Sequence, residues 1–416
     1  MPEPTADAAE LRRRLLRGAA SREIAALGTG ARTRFALRGR DWGVLLEASA
    51  EGVRGRAEDP DGSPDVAPEF ALTGDDETWS ALLAERPAAG THSVVHLVRT
   101  GAIAVSGATI AYERNVHLVR ALIDAARGAR VRSDVGRPLA AVGRYHRITT
   151  SLGTSDVYVE RAGSGAPLLA FATAGSETSQ WHGVMTHTDL TDRCELITVD
   201  LPWHGKSSPA WDAPVGSYRL TPESYTEFIV AVSDVLGLRR PTLLGVSMGG
   251  AAVVHAIATH PERFAGAVSC QAGPSVTARA NEHLRGTRVN PALFIPEWTY
   301  GLMNPSSPEP FKQRVWWGYS SGGFGLYAAD IDSYLAWNLA DVELGLSQGS
   351  PHIAVLSGAY DTSVPTARSR ELAARIPNGS FAEMPELGHF PHAEHPEAFV
   401  RHLHAALDRV AAGDPA

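Results

Sequence analysis

The stretch Leu243-Leu244-Gly245-Val246-Ser247-Met248-Gly249-Gly250 decides the fold of most of this chain. Its first half predicts a buried strand, its second half predicts a helix, and Gly-x-Ser-x-Gly lies at their junction. Gly245 and Gly249 have no Cβ, so the strand and the helix can approach closely at the turn. The turn lifts the Ser247 hydroxyl above the sheet and leaves the Met248 amide at a helix N-terminus, which favours an oxyanion. Ser247 is therefore a candidate nucleophile and Met248 a candidate oxyanion donor; the alternative is a glycine-rich turn whose serine caps the helix.

Strands and helices alternate on both sides of this turn. Predicted strands at Pro167–Thr173, Glu195–Asp200, Phe264–Ala272 and His352–Ser357 are separated by predicted helices, among them Thr221–Leu236. Such alternation predicts an α/β fold in which helices cover both faces of a mostly parallel sheet. We expect this domain to occupy residues 140–416.

The candidate acid is Asp361, which follows the strand His352–Gly358 directly. An Asp just past the carboxyl end of a strand can hold an imidazole in the tautomer that a nucleophilic serine requires. A helix N-cap is the alternative role for Asp361. Asp330 and Asp332 compete with it, but they lie in an irregular region where partly solvated carboxylates are the usual explanation.

The candidate base is His389, in the turn Pro385–Pro391 that follows a predicted strand. A serine hydroxyl is a poor nucleophile unless such a base removes its proton. His392 and His395 are nearby rivals, and their alternative role is packing in the loop or at the start of the next helix.

This arrangement resembles the α/β-hydrolase superfamily, whose catalytic residues follow the chain order Ser, Asp or Glu, then His. Gly388-His389-Phe390 ahead of Glu394–Glu397 matches the histidine loop of that superfamily. Asp200–Ser208 matches its Asp-x-Pro-x-His-Gly-x-Ser loop. We interpret this second loop, including His204, as a structural brace for the carboxyl edge of the sheet.

Within the superfamily, the turn Thr173-Ala174-Gly175-Ser176 is similar to that of serine esterases and 3-oxoadipate enol-lactonases, as are Gly245–Gly250 and His260–Arg263. Many relatives carry His-Gly at this turn. This chain departs from that pattern, but an oxyanion hole needs only a backbone N–H. Counted back from Trp181, the resemblance implies that the Ala174 amide is the second oxyanion donor.

The first 135 residues predict a separate small α+β domain, followed by a linker at about 128–142 that mixes Gly, Pro, Arg and Ala. The pattern predicts a helix up to about Gly30, a hairpin within Ala102–Tyr112 and a helix over Val116–Ala126. Ser93–Val98 fits either a buried strand or a buried helix.

The order of elements in this domain resembles the sterol-carrier-protein-2-like fold. The resemblance lies in an apolar strand containing Trp42, a helix start at Gly74–Trp79 and the hairpin Gly101–Gly107. It implies a lipid-sized apolar cavity. The alternative is a small module that only packs or dimerises, so a homodimer is possible.

The alternation stops between residues 273 and 350, where we expect a lid over the active site. The segment is dense in aromatic residues, which favours a bulky apolar substrate; the alternative is that these rings form the lid's own core. The candidate substrate contacts are Trp316, Trp317, Tyr319, Trp181 and Phe390.

Composition excludes several classes of function. The net charge of −8 and the pI of about 6.1 are unlike a nucleic-acid-binding surface, which needs a basic stripe. No apolar run approaches the 18 residues or more of a membrane span, so we expect no stable membrane insertion and a cytoplasmic location. Cys194 and Cys270 are expected to be buried thiols, and the chemistry needs no metal and no cofactor.

Together these features predict a serine hydrolase that cleaves an ester or lactone of a bulky apolar small molecule through an acyl-enzyme. A C–C bond hydrolase or a transacylase could use the same triad. A lipid-binding or scaffold protein with an inactive triad is the non-enzymatic alternative.

Overall fold

A computed structural model describes residues 6–58, 67–128, 139–187, 189–276, 282–284 and 288–413 of the chain. In chain order the strands are β1 Thr33–Arg38, β2 Gly43–Ser49, β3 Gly52–Glu58, β4 Phe70–Thr73, β5 Ala104–Gly107, β6 Val142–Thr150, β7 Gly153–Ala162, β8 Ala166–Phe171, β9 Cys194–Val199, β10 Thr242–Val246, β11 Gly266–Cys270, β12 Ile353–Gly358 and β13 Gly379–Met384. The α-helices are α1 Ala6–Ala19, α2 Arg22–Leu27, α3 Asp76–Leu82, α4 Val94–Thr100, α5 Thr109–Arg127, α6 His182–His187, α7 Leu190–Arg193, α8 Pro222–Val235, α9 Met248–Thr259, α10 Pro291–Tyr300, α11 Glu309–Ser320, α12 Leu326–Ala336, α13 Thr366–Arg375, α14 Pro391–Glu394 and α15 Pro396–Gly413.

The chain divides into two compact units. One unit comprises Met1–Val131 and Gly286–Gly301, and the other comprises Arg132–Arg285 and Leu302–Ala416. Most of the predicted linker lies outside the described residues. The segment predicted as a lid is divided between the two units, because its residues 286–301, which include helix α10, belong to the first unit.

The larger unit is built on an eight-stranded sheet in the order β13-β12-β11-β10-β8-β9-β7-β6. Strands β8 to β13 pair in parallel, and the β6–β7 hairpin adds two strands through an antiparallel pairing of β7 with β9. Every residue of β11 and β12 is buried, as expected for parallel strands covered on both faces. The sheet therefore confirms the α/β-hydrolase fold, with the strand before Ser247 near its centre.

A hydrophobic cluster holds this sheet to helix α15. Its members include Leu244, Val246, Leu356, Phe399 and Leu403, none of them more than 2 % exposed. Burial of each such side chain contributes about 1.5–3 kcal/mol. This packing holds the strands in place, so the loops that follow their carboxyl ends begin from fixed positions.

The smaller unit contains a five-stranded sheet in the order β3-β2-β1-β4-β5. The predicted hairpin at Ala102–Tyr112 is wrong in its second half, because Thr109 begins helix α5. Tyr112, Val116 and Val119 recur at helical spacing and are all buried, so the helix continues an apolar face that a strand could not present. The ambiguous segment from Ser93 forms helix α4, which Ser93 caps.

Helix α10 is anchored in this smaller unit by a buried ion pair. Arg120 donates to both carboxylate oxygens of Glu297, over 2.8 and 3.0 Å, and Glu297 is completely buried. Burial opposes the charge on Arg120, but Glu297 and Asp124 outweigh it and raise its pKa. A bidentate pair of this kind fixes the orientation of the two side chains as well as the distance between them.

Among the described helices, none is long and apolar enough to cross a membrane.

The turn between β10 and α9 leaves no room for a side chain at its glycines. Ser247 has φ +59° and ψ −117°, a conformation that L residues rarely adopt. A Cβ on Gly249 would lie 2.8 Å from the carbonyl oxygens of Phe171 and Ala172, and one on Gly245 would collide with the Gly249 carbonyl. Both glycines are therefore required by close backbone packing.

We predict that Gly245→Ala lowers the free energy of unfolding by about 3 kcal/mol, since overpacking a rigid site has no flexible neighbour to absorb it. Chemical denaturation measures the loss. The matched control is Gly318→Ala in α11, where an added Cβ meets nothing within 4 Å. This control should be stabilised by about 0.5–1 kcal/mol. Equal stability of the Gly245→Ala and wild-type proteins would refute the packing argument.

Candidate active site

Ser247 lies on the turn that joins β10 to α9, at the carboxyl edge of the sheet. Its backbone N–H donates to the Cys270 carbonyl over 2.8 Å, which ties the turn to the end of β11. Met248, the first residue of α9, follows directly, so its amide is one of those that the helix leaves without an intrahelical acceptor. Ser247 is fully buried.

Three residues far apart in the sequence meet at this turn. His389 Nε2 lies 2.9 Å from Ser247 Oγ, and His389 Nδ1 lies 2.7 Å from Asp361 Oδ2. The second carboxylate oxygen of Asp361 accepts the backbone N–H groups of Ser363 and Val364, over 2.7 and 2.9 Å. With Asp361 accepting the Nδ1 proton, Nε2 is left as the acceptor for the serine hydroxyl.

The rival histidines have other partners. His392 is buried with its ring 4.2 Å from that of Trp181, and its Nε2 lies 3.2 Å from Gln180 Oε1. Burial lowers the pKa of His392 to about 3, so it is neutral. His395 is half-buried and accepts the Ala398 amide at the start of α15 over 3.4 Å. His392 therefore packs in the loop and His395 lies at the start of α15, which is the alternative role stated for these two histidines.

The rival acids differ from each other. Asp332 is exposed on α12, whereas Asp330 on the same helix is completely buried. The interpretation of Asp330 as a partly solvated carboxylate is therefore wrong. Its helical spacing turns it to the opposite face from Asp332, toward the interior, and there it accepts three hydrogen bonds.

The predicted oxyanion turn follows β8. Ala174 is 1 % exposed, and within the described part of the chain its amide has no hydrogen-bond acceptor. The Ala174 carbonyl accepts the Tyr319 hydroxyl over 3.1 Å, and that hydroxyl also lies 2.6 Å from Thr173 Oγ1. The N–H of Ser176 returns to the Thr173 carbonyl over 3.2 Å and closes the turn.

The five aromatic candidates for substrate contact occupy different environments. Phe390 packs edge-on against the His389 ring at 5.0 Å and against Tyr319 at 5.6 Å. Trp317 is 69 % exposed, and Trp316 is half-buried. Trp181 belongs to the hydrophobic cluster under the sheet, so its ring is a core element.

Gln271 is a site residue that the sequence analysis missed. It directly follows β11 with φ +55° and is fully buried. Its Nε2 donates to the Gly388 carbonyl, and its Oε1 accepts the Gly358 amide over 3.0 Å. One side chain thus joins the loop that carries Asp361 to the loop that carries His389. No sequence motif marks it, because its partners lie about ninety residues or more away along the chain.

Two further carboxylates brace the surrounding loops. Glu394 accepts the amides of Gly388 and of Asn304, the latter over 3.0 Å, and burial raises the pKa of Glu394 to about 8. Asp200 accepts the amides of Thr178 and Lys206 over 2.7 and 2.8 Å, and burial raises its pKa to about 6. The loop that begins at Asp200 thus has the bracing contacts expected from the sequence.

The described residues contain no cluster of three or more His, Cys, Asp or Glu side chains suited to hold a metal ion.

The sequence and the fold have known relatives. Residues 165–402 match the alpha/beta hydrolase family. The 3-oxoadipate enol-lactonase 2 of Acinetobacter baylyi is 25 % identical over 58 % of this chain and 89 % of its own length. A pimeloyl-[acyl-carrier protein] methyl ester esterase of Aeromonas hydrophila is 26 % identical over 59 % of this chain and 96 % of its own length.

Solved structures share the fold. The enol-lactonase of Burkholderia xenovorans LB400 superposes with a TM-score of 0.54, at 19 % identity, over 64 % of this chain and 100 % of its own. A thermophilic esterase of Thermogutta terrifontis gives a TM-score of 0.54, at 22 % identity, over 64 % and 99 %. Since the family match spans more than half of the sequence, this chain belongs to the alpha/beta hydrolase family.

Proposed function

We propose that this hydrolase cleaves a carboxylic ester or lactone through an acyl-enzyme on Ser247. The observation that carries the proposal is the hydrogen-bonded series Ser247–His389–Asp361, with distances of 2.9 and 2.7 Å. All three residues are buried, and a low-dielectric setting strengthens the electrostatic interactions that such a series uses. The names of the relatives, which include an enol-lactonase and methyl ester esterases, support esters and lactones as the substrate class.

The proposed reaction begins when Ser247 Oγ attacks the carbonyl carbon and its proton passes to His389 Nε2. Charge then develops on the carbonyl oxygen, where the amides of Met248 and Ala174 donate hydrogen bonds. The tetrahedral intermediate collapses, the alcohol leaves with the proton from His389, and the acyl group stays on Ser247. Water, deprotonated by His389, then attacks the acyl carbon, the bond from that carbon to Ser247 Oγ breaks, and the proton on His389 returns to Ser247 as the acid is released.

One apolar group beside the proposed base supports a bulky apolar substrate. Phe390 packs edge-on against the His389 ring, with the ring centroids 5.0 Å apart. A C–C bond hydrolase or a transacylase would use the same three residues. Product analysis separates the three activities. An ester or lactone hydrolase releases a free acid without breaking a carbon–carbon bond, a C–C bond hydrolase breaks such a bond, and a transacylase forms a new ester in place of the free acid.

Gln271 has a defined part in this proposal. Asp361 and His389 lie on the loops after β12 and β13, and Gln271 holds these loops together because it hydrogen-bonds a backbone group in each of them. Its removal leaves a buried N–H on Gly358 and a buried C=O on Gly388 without their partner. Such groups are costly when unpaired.

We predict that a fluorophosphonate probe labels Ser247 in the wild-type protein and labels no residue in Ser247→Ala. The same substitution should lower kcat on an aryl ester by about 10⁴-fold or more, since the acyl-enzyme cannot form. Peptide mass analysis and steady-state kinetics are the measurements. Circular dichroism serves as the control for folding. A folded wild-type protein that resists the probe, or undiminished activity of Ser247→Ala, would exclude Ser247 as the nucleophile.

We predict that Gln271→Leu lowers the free energy of unfolding by about 2–4 kcal/mol, because two buried backbone groups lose their hydrogen bonds. Denaturant unfolding measures the change. Gln313→Leu is the matched control, since Gln313 is exposed on α11 and, among the described residues, its side chain bonds only to the nearby Glu309 in the same helix. It should change stability by about 0.5 kcal/mol at most. Equal effects of the two substitutions would argue against a bracing role for Gln271.

A further inference from the structure

Asp330 connects helix α12 to three other segments. One carboxylate oxygen accepts the Gly175 amide over 2.7 Å and the His204 Nε2–H over 3.0 Å. The other oxygen accepts the Tyr218 hydroxyl over 3.0 Å. Burial of a carboxylate is costly unless it is paired and hydrogen-bonded, as Asp330 is, and the proposed reaction scheme does not use this carboxylate. Its position beside the oxyanion turn gives it a further role.

The peptide group between Ala174 and Gly175 is held at both of its polar atoms. Asp330 accepts its N–H, and the Tyr319 hydroxyl from helix α11 donates to its C=O over 3.1 Å. Since a peptide group is planar, two such bonds fix its orientation. Gly175 has φ +68°, and a Cβ there would lie 2.6 Å from Tyr327 Cδ2, so the turn also packs closely against α12.

With this peptide group held in place, the two neighbouring amides differ in their hydrogen-bond acceptors. The Gly175 N–H is committed to Asp330, whereas the Ala174 N–H has no acceptor among the described residues. The orientation of the Ala174 amide depends on the backbone torsions on either side of it. Without the hydrogen bond to Asp330, the turn is no longer restricted to the conformation in which the Ala174 N–H, and not the Gly175 N–H, is left for the reacting carbonyl oxygen.

The charge of Asp330 is balanced by His204. Nδ1 of His204 lies 3.0 Å from the Pro202 carbonyl, and Nε2 faces the Asp330 carboxylate, so both ring nitrogens donate and the ring is an imidazolium. Burial opposes this charge, but Asp330 outweighs it and the pKa of His204 is raised. A neutral pair adds little negative potential at the oxyanion site, where an unpaired carboxylate would oppose the developing charge.

We propose that Asp330 is a positioning residue for the oxyanion hole: it orients the Ala174–Gly175 peptide group so that the Ala174 amide points at the reacting carbonyl oxygen, while His204 neutralises its charge. The inference rests on the proposed function. It assigns to helix α12, which lies in the segment predicted as a lid, a part in transition-state stabilisation. It predicts a loss of kcat without a matching change in KM, because the oxyanion forms only after the substrate has bound.

The test compares Asp330→Ala and Asp330→Asn with Asp332→Asn, which removes the same charge from an exposed position on the same helix. Each protein is assayed on a p-nitrophenyl ester and with an aryl trifluoromethyl ketone, whose adduct with serine carries an oxyanion. We expect Asp330→Ala to lower kcat by about 10²-fold with KM within about threefold, as for loss of an oxyanion donor. Affinity for the ketone should fall by a factor similar to that for kcat/KM. Asp332→Asn should match the wild-type protein.

Asp330→Asn keeps one acceptor oxygen and nearly the same volume. Its kcat and its affinity for the ketone therefore test the positioning role if Asp330→Ala does not fold. It should show the same parallel fall in kcat and ketone affinity, to a smaller extent. Unchanged kcat, or a fall in kcat with unchanged ketone affinity, would overturn the positioning role. Failure of the proposed function looks different, because then the fluorophosphonate probe would not label Ser247 in any of these proteins.

Discussion

The backbone passes from strand β10 into helix α9 through a single residue, and the rest of the active site depends on this turn. Ser247 adopts a positive φ there, and the glycines on either side let the strand, the helix and the end of β8 come within contact distance. Any side chain at Gly249 would separate the helix from the carbonyls of Phe171 and Ala172. That separation would move the Met248 amide away from the turn that carries Ala174. The same packing constraint therefore affects the proposed nucleophile and both proposed oxyanion donors.

Hydrogen bonds from buried polar side chains hold the loops around this turn. Gln271 bridges the loops that carry Asp361 and His389, Glu394 braces the histidine loop from its other side, and Asp330 holds the oxyanion turn. Gln271 and Glu394 bond to backbone groups of Gly358, Gly388 and Asn304, which would otherwise be buried without these partners, and Asp330 bonds to the half-buried Gly175 amide. The conformations of these loops cannot be predicted from short stretches of their own sequence. Hydrogen bonds to the buried polar side chains fix them, and burying those polar atoms has a cost in free energy.

The sequence was sufficient to predict the sheet, the strand-to-helix turn and the residues that meet there. Ser247, Asp361 and His389 each follow a recognisable strand, and parallel strands bring their carboxyl ends to one edge. Gln271 and Asp330 could not be identified in the same way, because their roles depend on contacts with residues about ninety to 155 positions away. The four residues from Thr109 to Tyr112 fit the period of a strand as well as that of a helix, and the buried face of α5 decides between the two.

The central claim is that an acyl group resides on Ser247 during turnover. The most direct measurement is to quench the enzyme with acid during hydrolysis of a p-nitrophenyl ester and to locate the acyl group by peptide mass analysis. We predict one acyl group on the peptide that contains Ser247, and no acyl group on the Ser247→Ala protein. An acyl group on a different residue, with turnover retained in Ser247→Ala, would contradict it.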